Sequence, residues 1–165
     1  MSHPFDSLRI PGQAGRLMFT PCPGTKDSSL ASALSTLKQA GASVVLTLMP
    51  QAELELNGAG DLPAQCAELG LTWLHLPVAD EQVPQADFDT AWQASRAQIA
   101  AVLAADQAIA IHCKGGSGRT GLIAARILIE QGIARSEAVS LVQALRPKAI
   151  QHPAHAGWIA QFDAE

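Results

Sequence analysis

Cys113 and Arg119 are the two residues of this chain whose types and spacing most directly suggest chemistry. They lie in "AIAIHCKGGSGRTGLIAARILIE", Ala108 to Glu130. There an apolar run ends at a cysteine, crosses a glycine-rich turn and restarts as a helical pattern at an arginine. A strand–turn–helix of this kind lets several backbone N–H groups converge beyond the strand's C-terminal end. The helix adds the positive end of its dipole. Such a cradle suits a phosphate, and the same field stabilises a cysteine thiolate. Gly115, Gly116 and Gly118 let the loop curl, with Lys114 before them and Ser117 among them. Arg119 can return a planar fork of donors to two phosphate oxygens at once. The loop is built for a thiolate nucleophile facing a bound oxyanion.

The elements that position this loop are legible from periodicity and punctuation. Arg16–Thr20, Ser43–Met49, Leu71–Val78 and Ala108–Cys113 read as strands, the last with almost no polar alternation, as where both faces are covered. Asp27 or Ser28 caps a helix with an inner face of Leu30, Ala33, Leu34 and Leu37, and Asp61 begins a second one ending at Gly70. Phe88, Trp92, Ser95, Ile99, Val102 and Leu103 repeat at helical spacing. Leu122–Ile129, a helix from Ser136 to Arg146, and a last one opened by Pro153 complete the pattern. Alternating strands and helices predict an α/β fold with a mostly parallel central sheet flanked by helices. Residues 1–165 fit one compact domain, with the first ~15 residues as a loosely attached segment.

Bulk composition narrows the partners. A net charge of −4 without a basic block argues against nucleic acid or an anionic membrane. The longest apolar runs fall short of the roughly 18 residues needed to span a bilayer. "MSHPFDSLRI" lacks a basic region followed by an apolar core, so a cytoplasmic protein is expected. Cys22, Cys66 and Cys113 form no C-x-x-C pair, which disfavours zinc or a disulfide framework. No metal or cofactor is expected. Cys22 and Cys66 read as small buried hydrophobes.

"HCKGGSGRTG" resembles the H-C-x5-R-[ST]-G signature of the cysteine-dependent protein tyrosine and dual-specificity phosphatases. "CAELGLTWLHLPVAD" (Cys66 to Asp80) and "RPKAIQHPAHAGWI" (Arg146 to Ile159) are similar to stretches of the cyclin-dependent-kinase-associated branch. The likeness covers roughly Pro21 to Phe162. It implies a dual-specificity-phosphatase-like fold and hydrolysis of phosphate monoesters through a phosphocysteine intermediate. The substrates implied are phosphotyrosine or phosphoserine/threonine proteins, or a small phosphoester.

The resemblance also implies roles. Cys113 attacks phosphorus, while Arg119 and the loop amides from Lys114 to Gly118 hold the oxygens. Asp80 protonates the leaving group, with Glu81 and Asp87 as alternatives on the same loop. Thr120 hydrogen-bonds the sulfur, or simply caps its helix. His112 orients the loop, and Gln151 positions water or is a plain surface amide. The pattern departs from tyrosine-specific relatives, which carry a second glutamine where this chain has His155, and the chain contains no tyrosine. Lys114 resembles the first lysine of a lipid-phosphatase loop whose second is Ser117 here. His75 and His152 read as structural, and Trp73, Trp92 and Trp158 as core or partly buried. Competing readings are a phosphatase of a non-protein substrate (phosphoinositide, inositol phosphate or RNA 5′-phosphate), a rhodanese-like sulfur transferase, and a silent phosphate-binding module.

Overall fold

The computed structural model describes residues 2–164. Five strands, β1 (Asp6–Arg9), β2 (Arg16–Thr20), β3 (Ala42–Thr47), β4 (Thr72–His75) and β5 (Ala108–His112), form one sheet in the order β1-β2-β5-β3-β4. β2, β5, β3 and β4 run parallel, and β1 adds antiparallel to β2. β5 is therefore covered on both edges and both faces, which is why every residue from Ala108 to His112 is buried.

Among the described residues seven helices cover the sheet: α1 (Leu30–Gln39), α2 (Gln51–Leu56), α3 (Leu62–Glu68), α4 (Ala86–Ala104), α5 (Gly118–Glu130), α6 (Arg135–Leu145) and α7 (Pro153–Ile159). Side-chain alternation along the strands sorts them into two layers. Leu17, Phe19, Leu46, Ile109 and Ile111 face Phe88, Trp92 and Ile99 of α4, the apolar residues of α5, Val142 of α6 and Ile159 of α7. Met18, Val45 and Ala110 face Leu34 and Leu37 of α1, Leu54 of α2, and Leu62 and Cys66 of α3. Among the described residues no helix is long and apolar enough to cross a membrane.

Three features differ from the sequence expectation. The first residues are not loosely attached. β1 pairs from Asp6↔Phe19 to Arg9↔Arg16, Ile10 is fully buried, and His3 Nε2 meets Thr20 Oγ1 at 2.7 Å. The signal was weak because β1 is a four-residue edge strand with one buried side chain, too short for alternation to show. Helix α2 is the second: six residues directly after Pro50 give too little periodicity to recognise. The third is the α1 cap, which is Ser29 rather than Asp27 or Ser28, with Ser29 Oγ accepting from Ser32 N at 3.1 Å.

Candidate active site

β5 ends at His112, and Cys113 opens the turn that leads into α5. The turn packs against the β2 exit. A Cβ on Gly116, which has φ +78°, would lie 2.6 Å from the Thr20 carbonyl carbon and 2.7 Å from its oxygen. Both atoms are backbone and cannot yield, so glycine is required there on two counts. Gly115 and Gly118 face open space. Two hydrogen bonds hold the turn from outside: Cys22 N donates to Lys114 O at 3.0 Å, and Arg146 Nε donates to Gly116 O at 2.9 Å. Arg146 also pairs with Asp6 Oδ2 at 2.8 Å, so α6, the turn and β1 are joined through one guanidinium.

The Cys113 side chain is 4% exposed, and its sulfur accepts a hydrogen bond from Thr120 Oγ1 at 3.2 Å. Thr120 is fully buried in the first turn of α5, so its hydroxyl is committed to the sulfur rather than to solvent. Burial, followed by the charges of Glu53 and Cys113, pushes Cys22 up to about 12, and burial alone pushes Cys66 up to about 11.

His112 anchors the loop through a polar chain whose direction can be assigned. Its Nδ1 lies 3.1 Å from Cys113 O, and a carbonyl only accepts, so Nδ1 carries the proton. Nε2 is then an acceptor, and Thr47 Oγ1 donates to it at 2.7 Å. Trp73 Nε1 in turn donates to Thr47 Oγ1 at 2.8 Å. Every group in this buried chain is satisfied with His112 neutral, and desolvation lowers the His112 pKa to about 4. The sign of the consequence follows from linkage. Between about pH 6.5 and pH 4 the unfolded chain takes up a proton at His112 that the folded protein refuses. Stability is full above that window and should fall through it by up to about 3 kcal/mol, with buried His3, whose pKa is also lowered by desolvation, adding in the same direction. Urea midpoints at pH 7.5, 6.5, 5.5 and 4.5 measure this; a flat profile would contradict the neutral, buried assignment.

Arg119 is 3% exposed and is held before any ligand arrives. Nη1 donates to Glu53 Oε1 at 2.8 Å and Nη2 to Glu53 Oε2 at 2.7 Å, a two-pronged pair with the first turns of α2. Nη1 also donates to Val78 O at 2.9 Å, and Nη2 lies 3.5 Å from Asp80 Oδ1. Burial opposes the charge, but the Glu53 hydrogen bonds, the Cys113 sulfur, and the charges of Glu53 and Asp80 raise the Arg119 pKa above the usual arginine value.

Asp80 occupies the turn after β4, its side chain 71% exposed. Glu81 follows with φ +62°, and Gln82 N closes the turn onto Ala79 O at 3.0 Å. Asp80, Glu81, Gly118, Arg119, Lys148, Ile150, His152 and His155 line a cavity of about 160 Å³. Ile150, a β-branched residue at φ +61°, is a strained point on this wall. Larger grooves of about 460 and 450 Å³ lie by α6 and α7 and by the C-terminal end of α5, and contain none of the predicted site residues.

The structure thus gathers Cys113, Arg119, Thr120, His112, the Lys114–Gly118 turn and Asp80. It does not gather all of the expected residues. Gln151 is exposed, its amide donates to Pro147 O at 3.3 Å, and it does not line the cavity. Asp87 lies in the first turn of α4 with its carboxylate on Phe88 N at 2.9 Å. His75 is structural, bonded to Met49 O at 2.8 Å and stacked on Trp73, whereas His152 caps α7 and also lines the cavity. Sequence reasoning missed Glu53, Thr47, Arg146 and His155. Nothing local marks Glu53, which belongs to a helix too short to see.

A fold of this topology carrying Cys-x5-Arg at the end of its central strand defines a cysteine-phosphatase class. The family of DSP-PTPase phosphatases of polymorphic toxin systems matches residues 23–133. The chain belongs to that family. Among solved structures, kinase associated phosphatase with its catalytic-site cysteine substituted by serine superposes at TM-score 0.86 and 20% identity, covering 98% of this chain and 94% of that one. Human DUSP28 gives 0.66 and 20%, covering 97% and 94%. PTPMT1 in complex with PI(5)P gives 0.71 and 18%, covering 94% and 93%. At these identities the likeness is one of fold. No curated protein sequence matches the chain significantly.

Proposed function

We propose that this chain, taken over residues 1–165 as one phosphatase domain, hydrolyses phosphate monoesters of phosphotyrosine or phosphoserine/threonine proteins through a phosphocysteine intermediate. The observation that carries this reading is the convergence on one loop of a sulfur already hydrogen-bonded by Thr120, a pre-held Arg119 and a carboxyl, Asp80, at the same mouth. In the first step the Cys113 thiolate forms a bond to phosphorus as the bond to the leaving oxygen breaks. Asp80 gives that oxygen its proton. The turn amides and Arg119 hold the equatorial oxygens, over which charge is spread in a loose transition state. In the second step water displaces the thiolate, Asp80 takes back the proton, and Thr120 Oγ1 stabilises the departing sulfur. Glu53 holds the Arg119 guanidinium in place, so little ordering remains to be done on binding.

A second reading, a non-protein phosphoester, is favoured by one observation. Lys148 and His152 line the cavity beside Arg119, where an additional anionic group of a substrate such as an inositol phosphate would sit.

Hydrolysis of para-nitrophenyl phosphate should proceed in excess EDTA and be blocked by vanadate. A panel of phosphotyrosine, phosphoserine and inositol phosphate substrates then separates the two readings. Turnover that required an added divalent metal would contradict the cysteine mechanism.

A further inference from the structure

His155 occupies α7, well away in sequence from the turn that carries Asp80, yet the fold brings the two together. It is 6% exposed, and its Nε2 lies 2.9 Å from Gln82 O. A carbonyl oxygen accepts only, so Nε2 carries the proton and donates. The turn is tied at its other end as well: Val78 N donates to Leu48 O at 2.7 Å, and Val78 O accepts from Arg119 Nη1 at 2.9 Å. Between these anchors Ala79, Asp80, Glu81 and Gln82 are all exposed, and Glu81 has a left-handed backbone. Gln85, at the start of α4 and adjoining this segment in sequence, donates to Val83 O at 3.0 Å, while His155 ties the backbone of residues 79–83 to an element distant in sequence. Asp80 sits midway between the two ties.

We propose that His155 is a positioning residue for the Asp80 turn, fixing the far end of the segment so that the carboxyl stays at the mouth of the Cys113 loop. The proposal rests on the phosphatase reading above, with Asp80 as proton donor. An exposed four-residue segment with a left-handed residue has little packing to hold it, so one buried donor on its outer anchor decides how often the turn is in place. His155 does not touch the reacting atoms. Its effect should therefore appear only where proton delivery matters, and should be smaller than that of removing the carboxyl itself.

The experiment is a comparison of wild type, His155→Leu, His155→Gln, Asp80→Asn and the double variant His155→Leu/Asp80→Asn on phosphate esters of graded leaving-group acidity. Leucine fills the buried volume without a donor, and glutamine restores an N–H that can reach the same carbonyl. His155→Leu should lower kcat for alkyl phosphates by roughly 3- to 10-fold, the factor expected for one net hydrogen bond. It should leave KM and vanadate affinity unchanged, and barely alter an ester whose leaving phenoxide is already stable. His155→Gln should recover most of the loss. On the Asp80→Asn background, His155→Leu should cost nothing further, because there is no proton donor left to position. Equal losses across all leaving groups, additivity with Asp80→Asn, or no rescue by glutamine would each overturn the proposal. If His155→Leu does not fold, the leaving-group dependence of the soluble His155→Gln and His155→Asn variants decides it: the longer amide should be near wild type and the shorter one impaired. Failure of wild type itself to turn over any phosphate ester would sink the phosphatase reading instead, so the two failures are distinguishable.

Discussion

Cys113→Ser is expected to lose turnover of aryl phosphates by on the order of 10⁴- to 10⁶-fold, the scale on which enzymes fall when their nucleophile is removed. Oxyanion binding should survive. The cradle is largely backbone N–H and the Arg119 guanidinium, and Arg119 is held by Glu53 and the Val78 carbonyl rather than by the sulfur. Vanadate or phosphate affinity, followed by calorimetry, should stay within a few-fold of wild type. Arg119→Ala, by contrast, should weaken both, and it leaves the Glu53 carboxylate without its partner in a partly buried place. The same contrast among thiols is open to labelling. With Cys22 raised to about 12 and Cys66 to about 11, iodoacetate at pH 6 should alkylate Cys113 in preference, and vanadate should protect it. Near-native turnover in Cys113→Ser, or equal labelling of all three cysteines, would remove the sulfur from the mechanism.

The second large effect belongs to Asp80. If its carboxyl protonates the leaving oxygen, Asp80→Asn should slow alkyl phosphates and phosphotyrosine by roughly 10²- to 10⁴-fold. The loss should shrink as the leaving group becomes more acidic, because a stable phenoxide needs no proton. Asp80 Oδ1 is 3.5 Å from Arg119 Nη2, so asparagine also removes a charge from beside the guanidinium. Phosphate binding should change little, since Glu53 supplies the stronger, two-pronged contact. Asp87→Asn is the control: its carboxylate is spent on the Phe88 amide at the start of α4. Steady-state rates for both variants across a series of leaving groups test the assignment. An unchanged slope in Asp80→Asn, or a larger effect in Asp87→Asn, would move the acid elsewhere on this segment.

How much of this was legible in the sequence depends on the range of the forces involved. The Cys113–Gly118 turn, its strand and its helix are written in contiguous residues, so glycine content, apolar runs and spacing suffice to place them. The covered strand β5 announces itself because burial on both faces abolishes alternation. β1 and α2 do not, since four and six residues carry too little pattern, and both are stabilised by what they pack on. The same limit applies within the site. Cys113, Thr120 and Arg119 share one loop and were found together. Glu53, Thr47 and Arg146 reach it from other elements through only one or two hydrogen bonds each, and no local rule marks a glutamate on a short helix as the partner of an arginine 66 positions later. Gln151 shows the converse. Its sequence neighbourhood allowed either a place at the water site or a plain surface amide; next to Ile150, at φ +61°, it lies exposed with its amide on Pro147 O. Backbone handedness of that kind is not written in a β-branched residue.

The central claim is covalent: phosphorus is bonded to Cys113 during turnover. Acid quenching of the enzyme within its first turnovers of an aryl phosphate, followed by mass spectrometry of its peptides, tests this directly. One phosphoryl group is expected on the peptide containing Cys113, accumulating in Asp80→Asn because the second step uses that carboxyl as its base, and absent from Cys113→Ser. A phosphoryl group on a histidine or aspartate peptide, or sustained turnover in Cys113→Ser, would contradict it.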